Sequence, residues 1–185
     1  MSDQHIPAQQ THDRLAAMRI PEYRYLMFGR FTFIMSLRMM STLVIWWTYQ
    51  LTKSPFLVGM LGLSEFVPAI LMALYSGYIV DRSRKKALLL RCVFCYVACA
   101  SVLLLASLPF TTERFTNFQI VTIIYAVIFC TGVIRSFTGP CFSSLLATIV
   151  PRQLLQNATT WSQSAWLSAS VIGHGLGGFL IAWFW

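Results

Sequence analysis

Gly77-Tyr78-Ile79-Val80-Asp81-Arg82-Ser83-Arg84-Lys85-Lys86 is the stretch that decides how this chain folds. It stands between two apolar runs, Leu57 to Val80 and Ala87 to Leu108, in a sequence otherwise poor in charge. A short, strongly basic connection between two membrane-length helices is expected to stay on the cytoplasmic side of a bilayer. The stretch therefore implies two neighbouring transmembrane helices and an orientation for both.

Composition points the same way. Of 185 residues, 57% are hydrophobic and 11% are charged, against roughly 25% charged in soluble domains. The formal net charge of +8 comes from 14 Lys and Arg against 6 Asp and Glu. In a soluble protein that excess would suggest nucleic acid. Here the cations cluster at Arg14 to Arg30 and Arg82 to Arg91, beside apolar spans, which fits orientation in a lipid bilayer and no nucleic-acid partner. The five cysteines, Cys92, Cys95, Cys99, Cys130 and Cys141, all lie inside apolar runs. Cys92, Cys95 and Cys99 share a helical face, but buried thiols commonly serve as small hydrophobes, so neither a disulfide framework nor a metal site is expected. No cofactor is implied.

Runs of about 17–25 apolar residues mark membrane-spanning helices. Five occur, at about 26–51, 57–80, 87–108, 118–146 and 163–185, after a polar tail over 1–20 that carries no cleavable signal. The chain is thus expected to be all-α, a polytopic bundle over 21–185. One side of the membrane collects Arg14, Arg19, Arg24, Arg30, Arg82, Arg84, Lys85, Lys86 and Arg152; the other has Lys53 and Arg114. That asymmetry places the N-terminus, the 81–86 loop and the 151–160 loop in the cytoplasm, and the protein in the plasma (inner) membrane. The sequon at Asn157 then faces the wrong compartment for glycosylation. An odd number of spans closing on Trp183-Phe184-Trp185 leads us to expect an unfinished bundle.

The order Gly77, Asp81-Arg82, Arg84-Lys85 resembles the signature loop between helices 2 and 3 of the major facilitator superfamily of secondary transporters, with Ser83 where a second Gly is usual. Tyr49-Gln50-Leu51-Thr52-Lys53-Ser54-Pro55 and Leu61-Gly62-Leu63-Ser64-Glu65-Phe66-Val67-Pro68 are similar to the first hairpin of its enterobactin-exporter-like branch, as are Glu22-Tyr23-Arg24 and Gly29-Arg30-Phe31. Gly132 to Pro140 is similar to the family's helix 4 motif around Arg135, with Thr138 in place of Gln. Gly173-His174-Gly175-Leu176-Gly177-Gly178 resembles its helix 5 motif, with His174 where Pro is usual. The resemblance implies twelve helices in two six-helix bundles, built from inverted repeats, with substrate bound near the bilayer midplane. This chain would supply five helices of the first bundle, its partner being a missing second bundle or a complementing chain. In the family, the residue matching Asp81 pairs with a helix of the second bundle and latches one access state, with Gly77 permitting close approach and Arg82, Arg84 and Lys85 completing the gating loop.

Three charged residues fall inside apolar spans. Arg38 lies near the middle of the first, where an Arg costs about 2.5–3.5 kcal/mol on insertion scales and so must find a partner or water. It reads as a cationic cavity lining or as one half of a structural ion pair. Glu65 stands three residues before Pro68, which removes a backbone donor and bends a helix. Burial disfavours a charged carboxylate, so Glu65 is a candidate proton carrier. By helical rise, Glu65 sits ~12 Å and Arg38 ~20 Å below the outer ends of their spans, a gap that long side chains largely close. A static pair between them is the competing reading. Arg135 either tunes a neighbouring acid, as the family's helix 4 Arg does, or snorkels to the interface. Gly173 and Gly177 form a Gly-x-x-x-Gly pair that, with Gly178, marks a close-packing helix face. No paired carboxylates, zinc-protease motif, phosphate loop or catalytic triad is present, so no enzyme is expected. The function expected is proton-coupled efflux of a small molecule by alternating access. The rival is a truncated membrane protein that only associates with other helices.

Overall fold

The computed structural model describes residues 17–184; Arg14, most of the polar tail and Trp185 lie outside the described residues. A 3-10 turn at Ala17–Arg19 leads into α1 (Pro21–Thr52), followed by α2 (Pro55–Arg82) and α3 (Lys85–Ser107). A short α4 (Pro109–Arg114) precedes α5 (Asn117–Ile149), and a second 3-10 turn at Arg152–Leu154 opens α6 (Leu155–Phe184). Five of these helices are long and apolar enough to cross a membrane. α5, at 33 residues, is about 50 Å long at 1.5 Å per residue, well beyond a hydrocarbon core of about 30 Å.

Local chemistry sets the helix ends. Pro21 and Pro55 occupy the first helical positions, where a missing N–H costs nothing and a fixed φ is already helical. α1 closes on Lys53, left-handed at φ 51°, whose N–H donates to the Tyr49 carbonyl at 2.8 Å. Thr116 and Gln119 form a reciprocal capping box at the start of α5, the Thr116 N–H donating to Gln119 Oε1 at 3.0 Å.

Boundaries differ from the sequence expectation at three places. The basic loop is shorter than 81–86: Asp81 and Arg82 are still helical, and only Ser83 and Arg84 separate α2 from α3. The connection over 109–117 contains α4. α6 begins at Leu155, before the expected 163, because Asn157, Thr159, Thr160 and Ser162 are polar but helical and depress the local hydropathy.

The bundle is organised as helix pairs. α1 packs along α6, α2 and α3 both pack along α5, and α1 touches α5 and α2 more lightly. At the end of the bundle near Arg82, Tyr23, Met27, Leu146, Val150 and Ala158 form one apolar cluster. Val44, Leu61, Leu103, Ile120, Ile124 and Val127 form another toward the opposite end. Between the two lies a polar, charged middle layer.

Candidate functional site

α1 presents Arg30, Ile34 and Arg38 at successive i, i+4 positions, so one helical face carries two guanidinium groups into the middle layer. That face lines a cavity of about 240 Å³, which Glu65 of α2, Tyr96 of α3, Arg135 of α5 and Trp166 of α6 also line. Arg38, Glu65 and Arg135, three positions read from the sequence as charged candidates, thus meet at one site.

Their pairing departs from the expectation. The Arg38–Glu65 pair is not made. Arg135 Nη1 instead donates to Glu65 Oε1 at 2.5 Å, tying α5 to α2. Gly132, one turn before Arg135, explains this. A Cβ there would collide with the Glu65 carbonyl oxygen and meet Pro68 Cγ at 2.8 Å. Only hydrogen at this position lets the α5 backbone lie on α2 directly beneath the ion pair. Nor does Arg135 snorkel to an interface; its charge is engaged by Glu65. The pair is half open to the cavity, with 45% of the Arg135 side chain and 30% of Glu65 exposed.

The other cations are held differently. Arg30 donates to Ser162 Oγ of α6 and lies 5.3 Å from the Phe142 ring centroid. Its place in the cavity adds a role to its reading as a topogenic charge; the signal was available in its spacing of two helical turns from Arg38. Arg38 lies 5.5 Å from the centre of the Trp166 ring, an attraction between cation and aromatic face. Tyr96 is buried, donates its O–H to the Thr131 carbonyl at 3.3 Å, and meets Phe33 edge-on with centroids 5.3 Å apart.

The α1–α6 seam backs the cavity. At Gly173 a Cβ would sit 2.5 Å from the Met35 carbonyl oxygen, and at Gly177 it would sit 3.0 Å from Thr42 Cβ. His174 Nδ1 and Thr42 Oγ1 are hydrogen-bonded at 2.8 Å, and Tyr23 donates to the Ala158 carbonyl at 2.8 Å. Gly178 is different from its neighbours: nothing lies within 4 Å of its Cβ position, so it packs against no described helix.

The signature loop is open. Asp81 is exposed in the last turn of α2, without a hydrogen bond or ion pair to any described residue. Gly77 likewise has nothing within 4 Å. Arg82 lies over the Tyr78 ring at 4.7 Å, Lys85 donates to Thr148 Oγ1 at 3.5 Å, and Arg84 is exposed. All five cysteines are free thiols, and among the described residues no cluster of three or more His, Cys, Asp or Glu could hold a metal ion.

Five membrane-length helices around a charged, intramembrane cavity define a multi-pass membrane protein. The family model described as the Major Facilitator Superfamily matches residues 26–185, and the chain belongs to that superfamily of transporters. No curated relative and no solved structure matches it.

Proposed function

We propose that this chain forms the substrate- and proton-handling part of a proton-coupled exporter of small molecules. One observation carries the reading: the Glu65–Arg135 ion pair faces a cavity instead of being sealed in the packing. An ion pair in a membrane interior is costly to form and is retained where it works. Arg stays charged, so Glu65 is the member that takes a proton; once neutral, it releases Arg135 and loosens α2 from α5. Gly132 localises that change at one helix crossing. Pro68, one turn from Glu65, removes a ladder hydrogen bond and makes α2 the more deformable partner.

Alternating access needs a second body to move against. The exposed Asp81 and the open surfaces at Gly77 and Gly178 support a second bundle, in the same or a complementing chain, that covers these faces. The charge asymmetry supports an N-terminus in the cytoplasm and a plasma (inner) membrane location, and the first-hairpin motifs support the enterobactin-exporter-like branch. Cysteine labelling from outside is expected to modify Ser54→Cys and to spare Ser83→Cys; the reverse pattern overturns the orientation.

The functional test uses inside-out membrane vesicles acidified in their lumen. Organic solutes that the protein exports into the lumen against protons will dissipate the pH gradient, and Glu65→Gln will abolish this at unchanged protein level. Solute-dependent dissipation that survives Glu65→Gln removes Glu65 from the coupling step. The rival reading, a protein that only associates with other helices, rests on the same open faces. It predicts no dissipation by any solute even when the second bundle is co-expressed.

A further inference from the structure

We infer that the cavity selects small organic anions with an apolar, aromatic body, and that Arg38 is the group that anchors the anion. The inference rests on the transport reading and names its substrate class.

Charge is the first observation. Three guanidinium groups, Arg30, Arg38 and Arg135, line the cavity against one carboxylate, Glu65. Glu65 is already engaged by Arg135, so its charge is compensated where it stands. Arg30 donates to Ser162. Arg38 is half-buried and donates no hydrogen bond to any described residue; the Trp166 ring lies beside its charge, and Glu65, though bonded to Arg135, is close enough to attract it. A guanidinium carries five N–H donors in a planar fork that matches a carboxylate, sulfonate or phosphate. Arg38 and Arg135 thus share one carboxylate in an apolar bundle, and an incoming anion supplies the negative charge that is lacking.

Depth is the second. Arg38 stands about 21 Å along α1 from Thr52 and about 26 Å from Pro21 by helical rise. Lipid headgroups at either surface are out of reach, so the anion comes from a solute in the cavity. Shape is the third. Trp166 flanks the Arg38 charge, and Phe33, five residues before Arg38 and met edge-on by Tyr96, also lines the cavity. An aromatic ring bearing an acidic group satisfies both features. A cation would meet the excess positive charge, and a neutral amide would leave Arg38 unpaired.

The test is equilibrium binding by calorimetry to the protein in zwitterionic-lipid nanodiscs, with salicylate, salicylamide and benzylamine as size-matched probes. Salicylate is expected to bind saturably, about tenfold or more tighter than salicylamide, and benzylamine not to compete. Arg38→Gln is expected to erase that preference and Arg38→Lys to retain part of it, because Lys keeps the charge but not the fork. Arg91→Gln, outside the cavity on α3, should bind as the parent does. Equal binding of salicylamide, preference for benzylamine, no saturable binding of any probe, or an unchanged preference in Arg38→Gln overturns the inference. Because binding is read at equilibrium, it survives if proton coupling fails. Loss of the anion preference with coupling intact sinks this inference alone.

Discussion

The α1–α6 seam and the α2–α5 seam are both long helix contacts made close by glycine, yet they differ in what lies across them. Along α1–α6, Gly173 and Gly177 bring backbones together, and the crossing polar contacts are hydroxyl, imidazole and carbonyl groups, apart from Arg30 to Ser162. Along α2–α5, a single glycine, Gly132, sets the approach, and the contact above it is an ion pair open to a cavity. The first seam has no ion pair among its described contacts. The second carries an ion pair beside hydrogen bonds from Ser64 and Tyr125, and in the proposed function a proton on Glu65 releases that pair. On the proposed function, one seam is rigid and the other responsive.

The largest effect should come from forcing the α2–α5 crossing apart. Gly132→Leu places a branched side chain against the Glu65 backbone and Pro68, neither of which is a flexible chain end. The cost should exceed the about 1–3 kcal/mol typical of overpacking, with loss of monodisperse protein in detergent as the readout. Removing Arg135 comes next. Arg135→Gln leaves Glu65 unpaired; with the pair 45% and 30% exposed, destabilisation of about 1–2 kcal/mol is expected, below the 3–5 of a sealed pair. Restoring stability by the charge exchange Glu65→Arg with Arg135→Glu would show that the penalty is electrostatic.

The α1–α6 seam answers differently. Gly173→Leu should destabilise by about 1–3 kcal/mol while Gly178→Leu, which meets open space, leaves unfolding by denaturant titration unchanged. Equal effects would mean that α6 is rotated from the orientation described. The smallest effect belongs to Thr42→Val, which removes the hydrogen bond to His174. Polar contacts between membrane helices average about 0.6 kcal/mol, so a shift larger than that would assign His174 more than a packing role.

These two seams were unequally legible in the sequence. Gly173 and Gly177 could be read as a packing face because their spacing is local: four residues apart is one face of one helix. The Glu65–Arg135 pair could not, because its partners are 70 residues apart and depth counted from span ends misleads when helices differ in length. From their starts at Pro55 and Asn117, Glu65 lies about 15 Å along α2 and Arg135 about 27 Å along α5. The two ends are therefore not level, and the same counting favoured Arg38 as the partner. Gly132 carried no signal of its own, since an isolated glycine in a helix has many uses. Arg30 was legible in principle by its i, i+8 relation to Arg38, but its nearness to the span end made it read as a topogenic charge. The five-helix architecture was plain, because apolar length and basic loops are one-dimensional properties. Polar helical turns were not, which is why α6 starts earlier than its hydropathy suggests.

The most direct test of the responsive seam compares two transport modes of Glu65→Gln in proteoliposomes. Exchange of labelled for unlabelled solute needs substrate binding and reorientation but no net proton movement; accumulation driven by a pH gradient needs both. If Glu65 carries the proton, Glu65→Gln keeps exchange and loses gradient-driven accumulation, while the parent protein shows both. Loss of both modes together would make Glu65 a structural residue like those of the α1–α6 seam, and retention of both would contradict the account outright.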